Sequence, residues 1–220
     1  EGIKEEDELG ETVLVAGLCI MHHPYPLNMS TPRAFNVVLQ GPDGSVLLMG
    51  GFDRIEGGRL MGAKRSLERF DASTGLFATS GLSGPSPVSR GFSGVAQLSE
   101  GRYAVAGGSL SAVFGGDGAL TVGQLAGKMC TQDAGECNEN NLSSAVDVID
   151  IGAGTITRGD LPEGVVAAAV VSVHPQSFVV LGGWVNEDGD INKSTVASNK
   201  IRYCTIDEED GLTCVEMGDT

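Results

Sequence analysis

Three stretches of the chain superpose residue for residue without a gap: Arg33 to Gly51, Arg90 to Gly108 and Val165 to Gly183. Each reads as an apolar strand, a short turn and a second apolar strand closed by a double glycine. A second shared block follows each one: LERFDASTGLF from Leu67, VDVIDIGAGTI from Val146 and YCTIDEEDGLT from Tyr203. In these blocks Asp71, Asp150 and Asp207 line up, and Gly75, Gly154 or Gly211 follows four residues later. A self-similar array of short strands admits very few architectures, while it leaves the chemistry almost unconstrained.

Each block is a hairpin, so the repeat is expected to hold four antiparallel strands. In the first copy Phe35, Val37 and Leu39 alternate with Ala34, Asn36 and Val38 before the turn from Gly41 to Gly44. The second strands (VLLM, YAVA, FVVL) are apolar on both faces, which suits the middle of a sheet. In the second hairpin an acid opens a tight turn and a glycine closes it in the left-handed conformation that glycine adopts cheaply. Length varies freely only between the double glycine and the second block: Phe52 to Ser66, Ser109 to Ala145, and Trp184 to Arg202. Insertions at one connection of a repeat gather on one face, where binding commonly occurs.

Composition agrees with an all-β chain. With 41% hydrophobic residues in 220 positions a substantial core can be buried, and 33 glycines without a collagen period fit turns and close-packing positions. The formal charge of -15, from 29 acidic and 14 basic residues, repels a phosphate backbone, so nucleic acid is not expected as a partner. The acidic surface either attracts cationic partners and divalent cations or serves solubility alone. No apolar run approaches the roughly 20 residues that span a bilayer, so no membrane span is expected. The chain opens on Glu1 rather than Met, from which a removed signal peptide or a longer N-terminal part is expected.

Five cysteines are present. Cys130 and Cys137 flank a short polar segment, and Cys204 and Cys214 flank a strand end and the next strand start, so each pair is expected to form a local disulfide. Cys19 is then a buried thiol or the partner of a cysteine on another chain. Without a Cys-x-x-Cys or matching histidines zinc is a poor explanation, and disulfides point to a secreted, periplasmic or cell-surface location.

The double glycines (Gly50-Gly51, Gly107-Gly108, Gly182-Gly183) and the pairs Phe70-Asp71, Ile149-Asp150 and Ile206-Asp207 resemble the kelch repeat, over roughly Arg33 to Thr213. Phe77, Ile156 and Thr213 stand where that family carries tryptophan. The resemblance implies β-propeller blades, each a four-stranded antiparallel sheet: residues 33–77, 90–156 with a long insert, and 165–213. Residues 1–32 form an acidic segment with a partial blade strand, since Thr12 to Gly17 lines up with Ser45 to Gly50, and 214–220 form a C-terminal strand end. Propellers have four to eight blades, and three leave two open edges. A partial propeller, or one shared with another chain, is therefore expected.

Arg33 and Arg90 occupy the same place before the first strand of their repeats, which in a kelch-like propeller lies near the channel mouth. They either bind a carboxylate or acidic peptide, or pair with a backbone or acid of the neighbouring blade. Phe52, Phe114 and Trp184 sit in or beside the variable loops as partner anchors or as channel and insert packing. Asn186, Glu187, Asp188, Asp190 and Asn192 form either a calcium loop, with Asp188, Asp190 and Asn192 as ligands, or a solvated acidic loop. His22, His23 and Tyr25 offer a copper or zinc set, as in some kelch-like oxidases, or a plain polar loop. Asn28, Asn141 and Asn192 fit the glycosylation acceptor pattern. No catalytic triad signature or phosphate-cradling loop stands out. The expected function is a non-catalytic module, without a cofactor unless calcium, that binds or assembles with other proteins through its inserts. A metal-dependent oxidase or hydrolase and a structural subunit of a surface assembly are the alternatives.

Overall fold

A computed structural model describes residues 29–218 apart from 57–58, 86, 111, 115–119, 123–128, 131–136, 139–141, 190–194 and 208–210. Of the strands within 1–28 and 111–141 it describes the backbone alone. The chain is all-β, and three four-stranded antiparallel sheets carry it, each with its strands in chain order. The first is Val37–Gln40, Val46–Met49, Leu67–Asp71 and Leu76–Thr79. The second is Gly94–Ser99, Arg102–Ala106, Ala145–Asp150 and Thr155–Asp160. The third is Ala169–His174, Ser177–Leu181, Ile201–Asp207 and Gly211–Met217. The strands apolar on both faces lie second in each sheet, and in the second sheet both of their faces are covered.

Packing follows the side-chain alternation of the strands. Val37, Leu39, Leu47 and Met49 of the first sheet meet Tyr103, Val105, Ile149 and Ile156 of the second. The opposite face of the second sheet, with Ala104, Ala106, Val146 and Val148, meets Phe178, Val180, Cys204 and Leu212 of the third. Two layers of core thus separate three stacked sheets.

The register corrects one expectation. Leu48 pairs with Glu68, and Val105 with Asp147, but Val180 pairs with Arg202. Asp207 therefore stands two residues further along its strand than Asp71 and Asp150, because the third sheet's third strand runs longer before its turn. The turns keep the expected chemistry in the first two sheets: Asp71 accepts from the Ser73 amide at 2.8 Å and Asp150 from the Ala153 amide at 2.7 Å.

Adjacent sheets are tied by backbone bonds as well as by side chains. The Gly51 amide donates to the Arg90 carbonyl at 2.8 Å, and the Gly108 amide donates to the Val165 carbonyl at 2.8 Å. Phe35, Phe92 and Ala167, equivalent by sequence, all hold positive φ between 54° and 57°. The Phe92 amide donates to the Phe35 carbonyl at 3.3 Å and the Ala167 amide to the Phe92 carbonyl at 3.1 Å. The double glycine exists for this approach: a Cβ on Gly50 would stand 2.3 Å from the Arg90 carbonyl oxygen, and one on Gly107 2.2 Å from that of Val165.

The inserts leave every sheet at the same end, opposite the turns. The hairpin Phe52–Glu56 and Arg59–Ala63 joins the strands Ala112–Phe114 and Leu120–Val122 in one mixed-origin sheet, with Ala112 opposite Leu60. Inserts of the first two repeats thus fold together. The third insert makes its own hairpin, Trp184–Asn186 with Thr195–Ala197.

Cys204 and Cys214 face each other across the last hairpin and form a disulfide. They occupy the register of Ile149 and Ile156, and of Phe70 and Phe77, so a covalent link replaces an apolar cross-strand pair. Reducing it is expected to cost about 2–3 kcal/mol of stability, as for any short loop of this kind. Thermal unfolding with and without reductant checks this, and an unchanged midpoint would contradict it. Cys130 lies opposite Cys137 in a short strand pair; those side chains and that of Cys19 lie outside the described residues.

Candidate functional site

At the insert end each sheet holds a buried guanidinium, and the three are built from one plan. Arg33 donates to the Gly50 carbonyl at 2.9 Å and the Ser66 carbonyl at 3.1 Å, and pairs with Glu68. Arg90 donates to the carbonyls of Ala145 and Val105, the latter at 3.2 Å, and pairs with Asp147 at 2.7 Å. In the third sheet the charges trade places. Arg202 stands in the register of Glu68 and Asp147, donates to the Gly182 carbonyl at 3.3 Å and pairs with Glu163 at 2.5 Å, while Val165 fills the place of Arg33 and Arg90.

These groups are spent on the fold. Burial pulls the Arg90 guanidinium below its ordinary value, against the raising effect of Asp147. Burial also works against ionisation of Glu68, yet hydrogen bonds from Arg33 and Ser30 outweigh it and hold the carboxyl below its ordinary value. Each guanidinium ties the end of a second strand to the start of a third, and at Ala145 it adds to the bond that the Gly107 amide donates to the same carbonyl at 3.0 Å. Arg33 and Arg90 are therefore enclosed by their own repeats and present no guanidinium to a ligand. Sequence reading found the two arginines but missed Glu68, Asp147, Glu163 and Arg202; the one signal was an acid recurring three residues before the turn aspartate in the first two blocks.

Phe52, Ser109 and Trp184 immediately follow their double glycines and are equivalent. Each forms the same bridge back to the start of its own repeat: Phe52 to Ala34, Ser109 to Gly91, Trp184 to Val166. Their surroundings differ sharply. Phe52 is 1% exposed, packed on Phe92 of the next repeat with ring centroids 5.7 Å apart and on Leu60, Ala63 and Leu110. Phe52 is thus a core residue, not a partner contact, because the second sheet stands beside it. Ser109, beside the third sheet, is fully buried, whereas Trp184, on the last of the three sheets, is 47% exposed.

The strand of Phe114 joins the shared insert sheet, but its side chain lies outside the described residues, as do those of Asp190, Asn192, Asn28, Asn141, His22, His23 and Tyr25. Asp188 lies exposed in the turn Glu187–Gly189 with φ 54°, and Asn186 is buried. Among the described residues no group of three or more His, Cys, Asp or Glu side chains could hold a metal ion. At the opposite end from the inserts, a polar cleft of about 380 Å³ runs between the turns of the first two sheets, lined by Gln40, Pro42, Glu100 and Tyr103. The Tyr103 hydroxyl closes its floor by donating to the Gln40 carbonyl at 3.0 Å. Among the described residues no helix is long and apolar enough to cross a membrane.

No family model matches the chain, and no curated protein matches it. The solved structure called "Structure of YjhT" aligns over 97% of this chain and 79% of that one, at 11% identity and a TM-score of 0.33. A likeness that low carries no argument about fold or function.

Proposed function

We propose that the chain is a protein-binding and assembly module, that its three sheets are kelch-like propeller blades, and that it engages another polypeptide at the end carrying the inserts. One observation carries the reading: Trp184 is 47% exposed at a position whose counterparts Phe52 and Ser109 are covered by a neighbouring repeat. Large aromatic side chains left bare beside a rigid sheet are the residues on which interface energy concentrates. The clamped guanidiniums support a scaffold role for that end of the molecule, because they hold the inserts rather than offer charge. The disulfide between Cys204 and Cys214 favours an oxidising compartment outside the cytosol.

The test is a photo-crosslinking benzoylphenylalanine in place of Trp184, activated in the cells that make the protein. A covalent adduct with a second polypeptide is expected. Irradiation that yields no polypeptide adduct would overturn the reading. So would a stoichiometric transition metal in the purified protein that is lost on His22→Ala and His23→Ala substitution, which would favour a metal enzyme.

A further inference from the structure

The third sheet ends the stack with a bare face. Two full rows of side chains cross it: Ala169, Leu181, Ile201 and Met217, then Val171, Val179, Tyr203 and Val215. Neither row holds a charge, in a chain with a net charge of -15. Ile201, Val171, Val215 and Met217 are all more than 40% exposed. The corresponding second-strand residues of the other sheets, Leu47, Met49, Ala104 and Ala106, are at most 1% exposed because another sheet covers them.

The backbone tells the same story at both ends of the stack. Gly51 and Gly108 donate to the next repeat, but among the described residues the Gly183 amide has no such acceptor and the Ala167 carbonyl no such donor. The matching groups stand on the first repeat: among the described residues the carbonyl of Arg33, equivalent to Arg90 and Val165, receives no amide, and the amide of Phe35, equivalent to Phe92 and Ala167, reaches no carbonyl. On the outer face of the first sheet Val46, Phe70 and Phe77 are half-buried, where their counterparts Tyr103, Ile149 and Ile156 are buried. Phe35 itself is 46% exposed.

We infer that the bare face of the third sheet docks on the outer face of the first sheet of a second copy of this chain. The occupant is identified by continuity: the chain uses this contact twice internally, and the first and third sheets carry the two halves of a third. Gly183 then donates to the partner copy's Arg33 carbonyl, the Phe35 amide of that copy donates to Ala167, and Trp184 packs on its Phe35 as Phe52 packs on Phe92. A head-to-tail contact made reciprocally by two copies closes on itself, giving a ring of six sheets with no open edge. Six lies within the range of closed propellers. The inference rests on the assembly reading above and names its partner.

Sedimentation of the purified full chain tests it. The expected mass is twice the chain's 22.7 kDa. Trp184, the sole tryptophan, should shift its emission to shorter wavelength as the dimer forms. Val215→Asp on the third sheet and Val46→Asp on the first should each give monomers with the long-wavelength emission of an exposed indole. Mixed together, the two variants should recover a dimer, because one junction of the mixed pair has both faces intact. Should Val46→Asp lose its β-sheet circular dichroism, Phe70→Lys takes its place. An unmodified chain that stays monomeric, dimers that survive either substitution, or a mixture that stays monomeric would each overturn the inference. A monomer whose Trp184 crosslinks to a different polypeptide leaves the module reading standing and removes the second copy alone.

Discussion

Replacing Arg90 with methionine is expected to lower the free energy of unfolding by about 3–5 kcal/mol, the usual result of removing one member of a buried ion pair. The loss has two parts. Among the described residues Asp147 stays fully buried with Arg158, at 2.8 Å, as its remaining countercharge. The carbonyls of Val105 and Ala145 lose the donor that reached them across the sheet's end. Whole-domain stabilities are about 5–15 kcal/mol, so this one change consumes a large share. Urea unfolding at neutral pH measures it. The paired change Arg90→Met with Asp147→Leu should recover part of the loss, since no buried carboxylate is left behind, although Arg158, its side chain 25% exposed, gives up Asp147 as a partner. A single variant within about 0.5 kcal/mol of the parent, the range of ordinary surface changes, would show that the clamp is dispensable.

The second large effect is expected at Gly107. Alanine there must hold φ +64°, and its Cβ would sit 2.2 Å from the Val165 carbonyl oxygen. The left-handed backbone costs about 1–2 kcal/mol for an L residue, and overpacking against backbone adds about 1–3 kcal/mol. The clash also falls on the carbonyl that receives the Gly108 amide, so the joint between the second and third sheets opens. Gly154→Ala supplies the control: its φ is +71°, but nothing lies within 4 Å of the added carbon. Only the conformational cost should appear there. Equal losses at the two positions in denaturant titrations would mean that the close approach is not what selects glycine at the sheet junctions.

Much of the fold was legible because it repeats. Strand pairing, the buried second strands and the turn glycines followed from period-two alternation and from residues that tolerate positive φ. The double glycines were visible as strand ends, but their purpose was not. Nothing local says that Gly50 lies against the carbonyl of Arg90, forty residues later. The third repeat was misaligned by two residues at Asp207, because the turn aspartate was used as the ruler. The true ruler is the position of Glu68 and Asp147, and there the third repeat carries the opposite charge. Phe52 and Trp184 looked alike for a related reason. Their difference lies in which neighbour stands beside them, and that is a property of position in the stack rather than of side-chain chemistry.

The exchanged charges of the third repeat also bear on how such an array can change over generations. Unequal crossing-over between repeats is the easy route by which tandem copies are gained or lost. Here, a recombinant fusing the front of the third repeat to the back of the second would bring Glu163 against Asp147, two acids with neither Arg90 nor Arg202 between them and, among the described residues, only the partly exposed Arg158 to offset them. The reciprocal product would force Arg90 against Arg202 in a space closed to water. Two of the three units are thereby barred from shuffling with each other, and the reversed pair preserves their order.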